Sequence, residues 1–379
     1  MVFVGPAIRL AMQLFLARML TPDVFSEFVL VWTAALFSIG IVTSQVLTYN
    51  FHYPNDELTV NNQLFISLII ILVVSVGSAI FLLQTYPNVD FPPFLIMSFV
   101  LTHTYSEILR KVWIKKRFYK KVFKAEAIYS LSVIFALTTI YILQFKNIES
   151  ILIALTVISI FFSAMLWIKI DPSIKANLKK WIKFGVPITI SSMIQFISGN
   201  YFIFVASDLY EFNVIGELSL TRTLFSPLAL CLTLIDINHS EPISNRLKNG
   251  SDSILNVCKI VIPYLFLIVP FAVIAIFSRY FFNYEFLYTE LSKIIAILCM
   301  VNIFIVINRV LSIYVRASSK NINLMLAGIT SLIITVVLTK PAGEYMGPAG
   351  LYLVLLGQQL IFTTIYCNTL VKQKIFFLK

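Results

Sequence analysis

The stretch LFISLIIILVVSVGSAIFLL, Leu64–Leu83, decides the fold class. It carries no Asp, Glu, Lys, Arg or His, and it is as long as the roughly 20 mostly apolar residues a helix needs to cross a bilayer. Ile148–Ile170 is as long and charged only near its ends, at Glu149 and Lys169, and further apolar runs follow one another along the chain. The whole composition agrees: 59% of residues are hydrophobic and only 12% are charged, with a mean hydropathy of +0.89. A soluble domain buries only part of its apolar surface and could not hide this much. The chain reads as an all-α, polytopic membrane protein.

Hydropathy divides the 379 residues into about twelve spans. They are placed near 2–20, 25–48, 63–84, 91–112, 121–144, 148–170, 184–206, 213–236, 257–281, 288–312, 323–340 and 347–371. The first span starts at the initiator Met without the basic leader and small-residue cleavage site of a secretory signal, so it is read as retained. The longest connections, near 49–62 and 238–256, are too short for an independent domain. Any activity therefore sits among the helices or on short loops.

Charge places the ends. Arg110, Lys111, Lys115, Lys116, Arg117, Lys120, Lys121 and Lys124 form one basic cluster, and Lys169, Lys175, Lys179, Lys180 and Lys183 a second. Arg246, Lys248, Arg316, Lys320, Lys372, Lys374 and Lys379 fall on the same side if the spans alternate. By the positive-inside rule both termini face the cytoplasm. A solvated cytoplasmic rim accounts for this charge, and nucleic-acid binding is not needed to explain it. Cys231, Cys258, Cys299 and Cys367 are scattered singly and read as small buried hydrophobes.

The chain carries a faint internal duplication. Val24-Phe-Ser-Glu-Phe28 recurs as Val214-Ile-Gly-Glu-Leu218, and the basic turn after Arg110 recurs after Arg309. This predicts two six-helix lobes, parallel repeats around a central cavity. Residues 1–171 form the N-terminal lobe, 172–183 a basic cytoplasmic linker and 184–379 the C-terminal lobe. Pro187, Pro227, Pro263 and Pro270 interrupt spans of the second half, where each removes a backbone hydrogen bond and kinks a helix.

Ionisable groups at membrane depth cost at least about 2.5–3.5 kcal/mol on insertion scales, so each needs a reason. Arg9 lies near mid-depth with Gln13 one turn on, Arg222 lies inside the eighth span, and Arg309 lies toward the end of the tenth. The guanidinium fork bonds two oxygens of a phosphate at once, which makes these arginines candidates for an anionic substrate. Snorkelling or a buried ion pair is the competing explanation. Ser191, Gln195 and Ser198 form a polar stripe on the seventh span beside Asn200, suited either to sugar hydroxyls in a cavity or to close helix packing. Glu107 and Arg110, spaced i, i+3, form a local pair, and Glu126 neutralises part of the basic run. No Walker loop, HExxH or GxSxG is present in the sequence, so no ATP-driven or hydrolytic chemistry is indicated.

Leu16-Ala-Arg-Met-Leu-Thr-Pro-Asp-Val-Phe-Ser-Glu-Phe28 resembles the "LARLLGPEEFGLY" opening of Wzx-type O-antigen and capsular polysaccharide flippases of the MOP superfamily. Lys183-Phe-Gly-Val-Pro-Ile-Thr-Ile-Ser-Ser192 is similar to that family's "FGLPLLLSS", and Gly347-Pro-Ala-Gly-Leu-Tyr352 resembles its "GxxGaA" turn. Thr21 and Ser26 stand where the motif has glycines. The resemblance covers essentially the whole chain in order. It implies a flippase, not an enzyme, that moves a polyprenyl-diphosphate-linked oligosaccharide from the cytoplasmic to the periplasmic leaflet of the bacterial inner membrane. It also implies a cationic cavity, which fits Arg9, Gln13, Gln195, Asn200, Arg222 and Arg309 as substrate-binding residues. A proton or sodium ion is the possible coupling partner, alongside membrane lipids, and no resident cofactor is expected. A MATE-type cation or drug antiporter is the alternative, which would want an acidic cavity. A polytopic O-antigen polymerase is less suited, because the sequence has no large external loop.

Overall fold

The computed structural model describes residues 4–52, 60–87, 89, 91–116, 118–168, 178–225, 228–248, 254–278, 280, 290–318 and 321–372. All described elements are helices. They run α1 (Val4–Met19), α2 (Pro22–His52), α3 (Val60–Thr85), α4 (Pro93–Lys115), α5 (Tyr119–Ile142), α6 (Ile148–Met165), α7 (Leu178–Leu209), α8 (Asn213–Thr223), α9 (Leu228–Lys248), α10 (Ile254–Leu265), α11 (Ile268–Ser278), α12 (Leu291–Ala317) and α13 (Asn321–Lys372). Eight helices among the described residues are long and apolar enough to cross a membrane. The chain divides into two compact units, Met1–Thr189 and Ile190–Lys379.

Helix lies over each of the twelve expected spans, but four of them take unexpected forms. The eighth is divided between α8 and α9. The ninth is broken into α10 and α11 between Pro263 and Pro270. Pro270 has no N–H to give the preceding turn, and its ring crowds the carbonyl four residues back. The chain there closes instead through Leu267 N–H to the Tyr264 carbonyl at 3.2 Å.

The eleventh and twelfth spans are the two arms of α13, joined with no loop. Gly347 turns the chain there at φ 64, ψ −160, a region open to glycine but strained for other residues. Asn323 Nδ2 donates to Thr369 Oγ1 at 3.2 Å, so the arms lie antiparallel. At the turn, a Cβ built on Gly350 would stand 2.1 Å from the Ala342 carbonyl oxygen. The Glu290 carboxylate accepts a bond from Ala349 N–H at 3.2 Å.

In the first unit α4 packs against α2, α3, α5 and α6. Its core joins Phe28, Trp32, Phe99, Ile151 and Leu152, with the His103 ring stacked 5.3 Å from Phe99 and 4.8 Å from Trp32. The α5–α6 turn passes through Gln144 at φ 60. Asn147 then caps α6, its Oδ1 accepting from Ser150 N–H at 3.0 Å, an arrangement worth about 1 kcal/mol. Helix α3 holds no ionisable side chain and leaves Ile69, Leu72, Val73, Ile80, Phe81 and Leu83 exposed.

In the second unit α12 packs against α9, α10, α11 and α13. Val306, Val310, Tyr314, Ala327, Phe362, Tyr366 and Leu370 fill its centre. The cysteines depart from the expectation of burial. Cys258 is exposed, while Cys299 and Cys367 are half-buried. Cys258 stands beside Leu255 and Ile262 on an apolar outer face, where burial brings no advantage to a thiol. The side chain of Cys231 lies outside the described residues.

Candidate functional site

Arg222 reaches from α8 across to α7. Its Nη1 donates to the Gly199 carbonyl at 2.9 Å and to Asn200 Oδ1 at 2.7 Å. Its carbon centre lies 5.7 Å from the centroid of the Phe202 ring, a cation–π contact. A Cβ at Gly199 would meet Nη2 at 3.8 Å, an ordinary contact, so it is the carbonyl of this residue that the arginine uses. Asn200 is held in turn by its own Nδ2, which donates to the Phe196 carbonyl at 2.7 Å. The charge of Arg222 is thus met by neutral oxygens and a ring face, with no carboxylate partner among the described residues. Its Nε and Nη2 make no hydrogen bond to a described residue, which leaves one edge of the fork available.

The remaining residues of the polar stripe face the other helices of the second unit. Ser191 Oγ donates to the Leu324 carbonyl at 3.0 Å, and Gln195 Nε2 donates to Ser191 Oγ at 3.2 Å and Tyr366 Oη at 3.3 Å. Gln358 Nε2 donates to Ser198 Oγ at 2.9 Å. These bonds tie α7 to both arms of α13. Arg309, half-buried on α12, and Arg316 are both within electrostatic reach of the Tyr366 hydroxyl. Asn308 next to Arg309 donates to the Gln359 carbonyl at 2.8 Å and accepts from Thr363 Oγ1 at 2.8 Å.

Of the six residues singled out from sequence, the structure joins Asn200 to Arg222 directly and bonds Gln195 to Tyr366. Gln13 is half-buried on α1. The side chain of Arg9 lies outside the described residues. Sequence reasoning did not single out Tyr366, Gln358 or Phe202. One signal was readable: Asn200 and Arg222 are 22 residues apart and centred on Glu211, so a turn there brings them level.

A different cluster occupies the first unit. Arg110 Nε donates to Glu107 Oε2 at 3.2 Å, and its Nη1 donates to Glu126 Oε1 at 3.1 Å. Both carboxylates are 3% exposed. The expected Glu107–Arg110 pair is present, and Glu126 meets Arg110, the first member of the basic run, within the core of the unit. Trp113 lies a turn further on, its Nε1 donating to the Leu166 carbonyl at 2.7 Å and its ring lying 3.8 Å from Lys121 Nζ. In the turn after α7, Tyr210 Oη donates to the Gly343 carbonyl at 2.8 Å. Burial and the nearby Glu290 hold its phenol above the usual tyrosine range.

This helical architecture is the MATE transporter fold. Against the eukaryotic MATE transporter AtDTX14 the TM-score is 0.71 at 11% identity, covering 99% of this chain and 94% of the other. A mutant of the Vibrio cholerae MATE transporter VcmN gives 0.64 at 13% identity, with 99% and 96% covered. An outward-facing multidrug resistance MATE family transporter of the MOP superfamily gives 0.63 at 13% identity, with 100% and 94% covered. Identities this low concern the fold alone. No protein-family model and no curated protein matches the sequence.

Proposed function

We propose that this protein is a multi-pass transporter of the bacterial inner membrane, with both termini cytoplasmic. Its cargo is a polyprenyl-diphosphate-linked oligosaccharide repeat unit, carried from the cytoplasmic to the periplasmic leaflet by alternating access. Arg222 carries the reading. It is a cation within a membrane-spanning unit, fixed by Gly199, Asn200 and Phe202, and its available Nε–Nη2 edge suits a pair of diphosphate oxygens. A sugar chain cannot enter hydrocarbon unaided, because its hydroxyls would lose their hydrogen bonds. A polar path replaces that water while the prenyl tail stays in the bilayer. Arg9 and Gln13 are proposed as the first unit's contribution, and Gln195 and Arg309 as further polar groups along the second. Coupling to a proton or sodium ion is proposed with it.

A MATE-type cation or drug antiporter is the second reading, favoured by the fold and by the buried carboxylates Glu107 and Glu126. Those carboxylates both face Arg110, which offsets their pull on a cationic drug. A leaflet-resolved assay of lipid-linked oligosaccharide, in cells with and without the protein, separates the two. Accumulation on the cytoplasmic face after deletion supports the flippase. Unchanged leaflet distribution together with new sensitivity to cationic drugs supports the antiporter.

A further inference from the structure

The two arms of α13 border a groove of about 520 Å³ next to the Asn323–Thr369 bond. Its lining changes with depth along the helices. Lys372 stands at the end of the second arm, Asn368 and Thr369 about one turn in, and Ile365 one turn deeper, all at helical spacing. The first arm opens with Ile322 and Asn323 at the same end and carries Leu326 a turn deeper. Ile322 and Leu326 are 54% and 50% exposed. The Asn368 amide and the Lys372 ammonium make no hydrogen bond to a described residue. Arg316 stands in the last turn of α12, the helix that precedes the first arm.

We infer that this groove binds an anionic glycerophospholipid of the surrounding leaflet. The phosphate sits against Lys372 and Asn368, and an acyl chain lies along Ile365 and Leu326. The order of the lining is that of such a lipid: charge at the helix end, hydrogen-bonding groups below it, hydrocarbon below that. A free phosphate would use only the polar rim, where a lone exposed ammonium holds an anion weakly. Basic pockets at the ends of membrane helices favour anionic headgroups in this way. The inference is independent of which cargo the protein carries.

The test uses the full chain, purified in neutral detergent, with lipid retention read by native mass spectrometry. Phosphatidylglycerol, phosphatidylcholine of the same acyl chains and inorganic phosphate are the three probes. The wild type is expected to retain phosphatidylglycerol about fivefold over phosphatidylcholine, the advantage of one nearby lysine. The double variant Lys372→Gln with Asn368→Ala loses that preference, Lys372→Arg keeps it, and Leu326→Ala lowers retention of both lipids. Equal retention of the two lipids by the wild type overturns the inference. So does an unchanged preference in the double variant, occupancy by inorganic phosphate matching phosphatidylglycerol, or a second copy of the chain in place of lipid.

Discussion

Arg110 and Arg222 show two ways of keeping a guanidinium among membrane helices. Arg110 is enclosed by two carboxylates, one from its own helix and one from α5. Arg222 is held by a carbonyl, an amide oxygen and a ring face, with one edge available. The first arrangement satisfies the charge locally and fastens α4 to α5. The second fixes the position of the charge without cancelling it. A cation that is fixed but not neutralised is what an incoming anion needs, so under the proposed function the difference would separate a structural arginine from one suited to bind.

The comparison is broken most directly at Arg110. Arg110→Ala strips the guanidinium from two buried carboxylates and is expected to destabilise the protein by about 3–5 kcal/mol. Thermal unfolding in detergent, or loss of protein from the membrane, reads this. Arg222→Ala is expected to lower glycan export by about 10–100-fold, the value of a charge-assisted hydrogen bond, with unfolding shifted by about 1–3 kcal/mol, less than at Arg110. Should Arg222→Ala unfold the protein as Arg110→Ala does, both arginines are structural and the distinction collapses.

Asn200→Asp sharpens the contrast by giving Arg222 a carboxylate. It is expected to leave the fold intact and to lower export, since the cation is then neutralised by its neighbour. Export at the wild-type level in this variant would show that the free charge is unimportant. The smallest effects concern the turns. Gly347→Ala places a side chain at φ 64 and is expected to cost about 1–2 kcal/mol. Gln144→Gly, at φ 60, relieves strain of the same kind and is expected to change stability by less than about 1 kcal/mol. A larger loss at Gln144 than at Gly347 would reverse that ranking.

Much of the architecture was legible because lipid imposes a coarse rule. Long apolar runs become helices, and an i, i+3 pair such as Glu107 and Arg110 is readable on one helix. Pairings between helices were harder to see, since hydropathy says nothing of rotation about a helix axis. Glu126 was read as neutralising part of the basic run and does meet its first member, Arg110, but which member it meets, 16 residues away with Phe118 midway, was not readable. Asn323 and Thr369 are likewise 46 residues apart and centred on Met346, next to the Gly347 turn. The stripe of Ser191, Gln195 and Ser198 was recognised, but its bonds to Leu324, Tyr366 and Gln358 depend on packing that spacing alone does not encode.

Helix α3, without an ionisable group and with six large apolar side chains exposed, has a bearing on how the protein would be handled. A photoreactive reagent dissolved in the acyl chains would tag α3 early, and water-soluble modifiers would leave it untouched. Once lipid and detergent are stripped away, the same surface becomes adhesive, so α3 is the part of the first unit expected to start clumping.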